Sequence, residues 1–436
     1  MLSISAWKAA QRPNYETNRD KTYPYSECPF LGEYYLVAIP TSLSNLVEHV
    51  DYWGEGRIVH QNGVSGFTNC YNVNHTYQLV SNGPDKGRKI PNRIPVVSYT
   101  NCDTSGYIKN NSVKTITIMG APINSSCAAD IARMVHPDQG KVIAYGFQTN
   151  SADIKNLVMH LKMKDLFLYS NYTLPKELQG VSMFDHHLAF LNLSMLKEEL
   201  HKNVIEADFD IAVELAKTMD TESGSEAIID VVTRLLNEGS PKIMAFAYKL
   251  WHSGGEEIVR TTFPGAIQQI IIGGFVTIVN KQYQQALKLD ANTDSYNDRL
   301  AWGDKSDKTS KRVTWKFMAV LENQNVVFKV QDLNYNMFLK LDANTDNYGD
   351  RKGWGSVSDS GINHEFYLEP YSKDGILVFR IINYQYSQAL KLDANTDQYG
   401  DRQLWGHNGD AHANNAALDW VISSNAKSFE MEKSVI

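Results

Sequence analysis

Leu-Lys-Leu-Asp-Ala-Asn-Thr-Asp stands at residues 287–294, again at 339–346 and again at 390–397, without a single change. From Asp290 to Asp342 is 52 residues, and from Asp342 to Asp393 is 51. Each copy continues into Tyr-(Gly/Asn)-Asp-Arg and then Trp-Gly: Tyr296 to Arg299 with Trp302-Gly303, Tyr348 to Arg351 with Trp354-Gly355, and Tyr399 to Arg402 with Trp405-Gly406. Apolar runs precede the copies, Phe275-Val276-Thr277-Ile278-Val279, Val326-Val327-Phe328-Lys329-Val330 and Ile376-Leu377-Val378-Phe379-Arg380-Ile381. Short runs of strand formers punctuated by Asn, Asp and Gly spell an all-β unit. A period near fifty residues in triplicate means lobes that bury their faces only against one another. Three such lobes close into a β-trefoil. A three-bladed propeller leaves too little core, and a solenoid needs capping repeats that are not seen.

Asn292-Thr293-Asp294 and its copies are turn formers, because their short polar side chains bond their own backbone. Asp298-Arg299, Asp350-Arg351 and Asp401-Arg402 pair or fix the loop through charged hydrogen bonds, and the Trp beyond each Arg packs the loop. A second reading makes each copy a carbohydrate subsite, an aromatic face beside acidic and amide groups that bind hydroxyls. The candidate residues are Asp290, Asn292, Asp294, Arg299 and Trp302 in the first lobe. Their counterparts are Asp342, Asn344, Asp346, Arg351 and Trp354, then Asp393, Asn395, Asp397, Arg402 and Trp405. A calcium loop is the third reading, but no copy has EF-hand spacing. No cofactor and no metal are expected.

The chain has 436 residues, too many for one ordinary domain. Its net charge of −7 argues against nucleic acid or an anionic membrane as the main partner. No apolar run is long enough for a transmembrane segment. The start, Met-Leu-Ser-Ile-Ser-Ala-Trp-Lys, lacks a signal-like apolar region, so synthesis in the cytosol is expected. Cys28, Cys70, Cys102 and Cys127 match no zinc pattern and are expected as reduced thiols.

Residues 191–270 turn helical. Leu196, Leu200 and Val204 share a face, as do Ile211, Leu215 and Met219. Ser225 is placed to cap a helix carrying Ile228, Val231, Val232 and Leu235, ended by Gly239. Ser240-Pro241 opens the next, with Ile243, Phe246, Ala247 and Leu250 inward, stopped by Gly254-Gly255. The run Ala245-Phe246-Ala247-Tyr248-Lys249-Leu250-Trp251, followed by Glu257-Ile258-Val259-Arg260 and Phe263-Pro264, leads straight into the trefoil. Over roughly residues 194–425 this layout resembles the moth low-molecular-mass (30K) haemolymph lipoproteins, which join a small helical domain to a β-trefoil. The resemblance implies a non-enzymatic storage or carrier protein of insect blood, linked to lipid and sugar binding.

The missing secretory signal and some 190 extra residues in front resemble a longer branch of that family, the binding proteins of ENF-type cytokine peptides. That likeness implies a scavenger held inside blood cells, released to the haemolymph on lysis, with an ENF-type peptide as its partner.

Residues 1–190 read as α/β and Rossmann-like, with strands at Tyr35–Ile39, Ile94–Tyr99, Thr115–Met119 and Lys141–Gly146. A crossover helix runs from Cys127 to Val135, and a second from Asp153 to Leu161. Ile118-Met119-Gly120-Ala121-Pro122-Ile123 and the residues up to Ile143 resemble the later half of class I methyltransferases. The glycines available for a cofactor loop, Gly54-Glu55-Gly56 and Gly63-Val64-Ser65-Gly66, are not set between a recognisable strand and helix. A degenerate domain reused for binding is therefore expected rather than a live enzyme. Asp185-His186-His187 is the one acid–base-like cluster, and adjacent strand histidines point to opposite faces. The expected whole is a multidomain α+β chain: α/β over 1–190, a helical bundle over 191–270, a β-trefoil over 271–425 and a tail over 426–436.

Overall fold

Residues 47–52, 70–73, 96–97, 109–119, 123–145, 147–170, 187–219, 221–305, 308, 310–322 and 325–425 are described by a computed structural model. The chain divides into two compact units, residues 1–196 and 197–436.

In the first unit, β1 (Val47–Tyr52), β2 (Cys70–Val73), β3 (Val96–Val97), β4 (Val113–Met119), β5 (Lys141–Tyr145), β6 (Leu166–Tyr169) and β7 (His187–Asn192) form one sheet. Its order is β3-β2-β1-β4-β5-β7-β6. Strands β1 to β5 are parallel, β7 runs antiparallel to β5, and β6 antiparallel to β7. Ile116, Thr117 and Ile118 on β4 are all buried, as a strand covered on both faces requires. Helix α1 (Ser125–Met134) crosses from β4 to β5, and α2 (Ala152–Lys162) follows. Asn124 caps the first by accepting from the Cys127 N–H at 2.9 Å, and Ser151 caps the second through Ile154 N–H at 3.3 Å.

Of the expected strand Ile94–Tyr99, Val96–Val97 are in β3 and the other residues lie outside the described residues. Strand β1 was not expected, because Val47-Glu48-His49-Val50-Asp51-Tyr52 is too charged to read as a buried parallel strand. It ends two residues before Gly54, so a strand does precede Gly54-Glu55-Gly56 in the chain, and the strand order reverses between β1 and β4. Those glycines, Gly63 to Gly66, the expected strand Tyr35–Ile39, Cys28, Cys102, Asp185, His186 and the tail 426–436 lie outside the described residues. His187 opens β7. Cys127 is disulfide-bonded, against the reduced thiol expected, to a partner side chain outside the described residues.

Helices α3 (Leu193–Ile205), α4 (Phe209–Thr218), α5 (Glu222–Asn237), α6 (Lys242–His252), α7 (Glu256–Thr262) and α8 (Gly265–Ile271) come next. Helix α5 begins a turn earlier than Ser225 suggests: the Thr221 hydroxyl accepts from Gly224 N–H at 3.0 Å and is the cap. Gly239 and Gly254 end α5 and α6 with φ of 66° and 84°, a conformation natural to glycine. Ile211 is half-buried, while Leu215 and Met219 on the same face are buried.

Twelve strands follow. The first lobe is β8 (Phe275–Asn280), β9 (Ala286–Leu289), β10 (Arg299–Asp304) and β11 (Thr314–Glu322). The second is β12 (Asn325–Asp332), β13 (Phe338–Leu341), β14 (Arg351–Ser356) and β15 (Glu365–Lys373), and the third β16 (Ile376–Asn383), β17 (Ala389–Leu392), β18 (Arg402–His407) and β19 (Trp420–Ser424). The pairs β8–β11, β11–β12, β12–β15, β15–β16, β16–β19 and β19–β8 close a six-stranded barrel. The hairpins β9–β10, β13–β14 and β17–β18 cap it, joined in a triangle through β10–β14, β14–β18 and β18–β10. That pairing is a β-trefoil. Trp315, Phe317, Phe328, Phe366, Phe379 and Trp420 fill its core. The indole N–H groups of Trp315 and Trp420 donate to the carbonyls of Leu287 and Leu390, at 2.8 and 2.9 Å, so neither tryptophan buries an unpaired donor. Helices α6 and α8 pack on β12 and β11.

Candidate functional site

Each repeated stretch builds the loop between the two strands of a cap hairpin. In the first, the Asp294 carboxylate accepts from the N–H groups of Tyr296 and Asp298, at 2.8 and 2.9 Å. Asp346 and Asp397 do the same for their copies, at 2.8 and 2.9 Å and at 2.9 and 2.9 Å. Asp290, Asp342 and Asp393 accept from the N–H groups of Asn292, Asn344 and Asn395, at 2.9 to 3.0 Å. These carboxylates are turn caps.

The Asp-Arg pair does not pair with itself. Asp298 binds Lys340 of the second lobe at 2.6 Å, Asp350 binds Lys391 of the third at 2.6 Å, and Asp401 binds Lys288 of the first at 2.5 Å. Arg299, Arg351 and Arg402 donate to the carbonyls of Asp290, Asp342 and Asp393 at 2.9, 3.1 and 3.0 Å. They also bond the carbonyls of Ala291, Ala343 and Ala394. Each guanidinium lies over a tyrosine of the next lobe, Tyr335 and Tyr386 at 3.8 Å and Tyr283 at 4.1 Å.

The Trp-Gly glycines complete the ring. A Cβ on Gly303, Gly355 or Gly406 would meet Cδ1 of Leu392, Leu289 or Leu341 at 2.5, 2.3 or 2.4 Å, so a leucine of the neighbouring lobe sits where any side chain would be. The sequence reading missed Lys288, Lys340 and Lys391 and Tyr283, Tyr335 and Tyr386 as partners. Their signal was present, since each recurs at a fixed offset in every copy.

What remains for a ligand lies in the seams between lobes. One cleft of about 760 Å³ is lined by Asp346, Tyr348 and Asp350 on one side and Lys391, Asn395 and Trp405 on the other. A second, of about 400 Å³, repeats this with Asp397, Tyr399 and Asp401 facing Lys288, Asn292 and Trp302. Tyr296, Tyr348 and Tyr399 are 82%, 84% and 72% exposed, unusual for side chains of that size. Trp302, Trp354 and Trp405 are half-buried, and each keeps a buried indole N–H that has no acceptor among the described residues.

Burial would raise the Asp350 carboxyl, but hydrogen bonds from Lys391 and the Asn408 backbone, with the charges of Lys391 and His407, outweigh it and hold the group below the usual carboxylate range. The clefts differ at several wall positions, since Asp304, Lys305 and Arg312 of the second stand where His407, Asn408 and Ala417 stand in the first. Asp304 adds a second carboxylate to Lys288 at 3.2 Å, whereas His407 stands there in the third lobe, 3.6 Å from Asp350. Among the described residues no group of three or more His, Cys, Asp or Glu could hold a metal ion, and no helix is long and apolar enough to cross a membrane.

The model of the lepidopteran low molecular weight (30 kD) lipoprotein family matches residues 194–424, which covers the helices from α3 onward, less the first residue of α3, and all three lobes. The chain belongs to that family. The microvitellogenin of Manduca sexta is 35% identical over 225 residues, 52% of this chain and 90% of that protein. Low molecular mass lipoprotein 3 of Bombyx mori is 35% identical over 230 residues, 53% of this chain and 90% of that protein. The 30 kD lipoprotein region begins inside α3, so the sheet of the first unit lies ahead of it.

Proposed function

We propose that this 30 kD lipoprotein homologue is a non-enzymatic carrier or storage protein of insect blood that takes hydroxyl-rich ligands, of the saccharide class, into the clefts between trefoil lobes. The observation that carries the reading is the threefold set of Tyr296, Tyr348 and Tyr399, which are 82%, 84% and 72% exposed, with Tyr348 and Tyr399 standing in clefts that Trp405 and Trp302 also line. A sugar's C–H face suits the exposed tyrosine on the rim, and its hydroxyls suit the Asp, Lys and Asn groups of the walls. The repeated aspartates act one step removed, shaping the loops. Clefts walled by Asp, Lys and Asn suit an acyl chain poorly. Binding of a panel of oligosaccharides to the full chain, followed by tryptophan fluorescence, tests this. Tyr296, Tyr348 and Tyr399 replaced together by Ala should weaken binding at least tenfold with the fold intact, since all three are exposed. A silent glycan array ends the reading.

A second reading is sequestration of an ENF-type cytokine peptide by this protein, itself released to the haemolymph when blood cells lyse. It is favoured by the α/β unit ahead of the family region and by the net charge of −7, which suits a mildly basic peptide. The disulfide at Cys127 supports work in an oxidising fluid. Calorimetric titration of the full chain with a synthetic peptide decides it; no heat at tens of micromolar removes it. The strand order of the first unit supports a Rossmann-like, methyltransferase-type ancestry without supporting the activity. S-adenosylmethionine should leave the melting temperature unchanged.

A further inference from the structure

Asn280, Asp332 and Asn383 end the first strand of each lobe at equivalent places: their backbone N–H groups bond the carbonyls of Gln285, Met337 and Gln388 at 2.8 to 2.9 Å. All three side chains are fully buried. In the first and third lobes the amide does two jobs. Its oxygen accepts from the N–H of Tyr283 or Tyr386, both at 3.1 Å. Its nitrogen donates to the middle residue of the 3₁₀ turn ahead of a neighbouring strand, Ala417 for Asn280 at 2.7 Å and Asn363 for Asn383 at 2.8 Å. In the second lobe Asp332 keeps the first job, with one oxygen accepting from Tyr335 N–H at 2.6 Å. Its other oxygen, Oδ1, is buried with no hydrogen-bond partner among the described residues. The matching 3₁₀ turn is Lys311–Val313, and its middle residue is Arg312. A carboxylate oxygen cannot donate to that carbonyl. A carboxylic acid can.

We propose that Asp332 is a proton-operated latch of the second lobe: protonated, its Oδ1–H takes the place of the asparagine N–H and ties the lobe to the 311–313 turn; ionised, it leaves a buried carboxylate facing a carbonyl. The charged groups that face it are Lys311 from the turn and Arg299 from β10, and neither forms an ion pair with it. Burial pushes the carboxyl up to about 7, more than the backbone bonds from Tyr335 and Asn334 and the charges of Lys311 and Arg299 pull it down. Because the folded value lies above the unfolded one near 4, the latch's contribution is whole below about pH 4 and is lost as pH rises through about 7. The latch also reaches the repeated loop, since Tyr335, held by Asp332, is the ring on which Arg299 lies. This inference is independent of what the clefts bind.

Calorimetric melting of the full-length chain and of its Asp332→Asn variant from pH 4 to pH 9 tests the latch. The two should melt together at pH 4, and the variant should melt about 4 °C or more higher at pH 8. An offset that stays constant with pH, or a variant less stable at pH 8, overturns the proposal. Carboxyl ¹³C titration gives a direct reading, with a midpoint for Asp332 near neutrality expected and one near 4 fatal. Asn280→Asp should transplant the behaviour, costing the first lobe stability above neutral pH and little at pH 4.

Discussion

On the cap of the trefoil the three lobes are chemically alike; in the layer where the barrel meets the cap hairpins they diverge. The cap repeats Lys on Asp, Arg on Tyr and Leu on Gly around the ring. That layer carries Trp315, Phe366 and Trp420 at one equivalent place, Val313, His364 and Leu418 at another, and Asn280, Asp332 and Asn383 at a third. In each set the second lobe supplies the odd member. Identity on the cap reflects a joint in which each lobe must offer one half to the lobe before it and the other half to the lobe after, so a change in one copy spoils a contact in another. In the layer below, Trp315 and Trp420 bond carbonyls of their own lobes, and although Asn280 and Asn383 each bond a turn of another lobe, the partner there is a backbone carbonyl, which no substitution removes.

The largest test of this contrast is in the core. Trp420→Ala should cost about 3–5 kcal/mol in denaturant unfolding, whereas Trp420→Phe, which copies the second lobe, should cost far less. On the cap, Gly303→Ala and Gly355→Ala should each cost about 1–3 kcal/mol and resemble each other; a large difference between them would break the equivalence of the seams. His364 comes next. Burial holds its imidazole below the usual histidine value, so the stability it allows is full above about pH 6.5 and is lost as pH falls through the lower folded value. His364→Leu, which copies the third lobe, should therefore gain on the parent at pH 5 and not at pH 8, as read from melting temperature. The smallest effect is expected at an ion pair. Asp298→Asn should cost about 1 kcal/mol, and Asp350→Asn should cost as much at the next seam; with Asp350 held low, that parent seam persists until acid, below about pH 4.

The trefoil was legible because its signal is repetition, which needs no knowledge of neighbours. The helices were legible from the spacing of Leu196, Leu200 and Val204 and from the glycines that end them, and only the cap at Thr221 was misplaced. Roles on the cap were not legible. Asp298 and Arg299 sit side by side in the chain, yet their partners are Lys340 and Tyr335, more than thirty residues on, and a seam between lobes leaves no local trace. The strand at Val47–Tyr52 was missed because Glu48, His49 and Asp51 break the apolar run by which a buried parallel strand is recognised.

Strand β19 lies against β8, and the N–H of Asn425 bonds the Phe275 carbonyl at 3.0 Å. The beginning and end of the trefoil are thus neighbours, and the ring of lobes has no natural starting point. A chain rejoined there and reopened at the exposed tip of any repeated loop would trace the same barrel in a different reading order. Sequence order in this module is a matter of where the ring was cut.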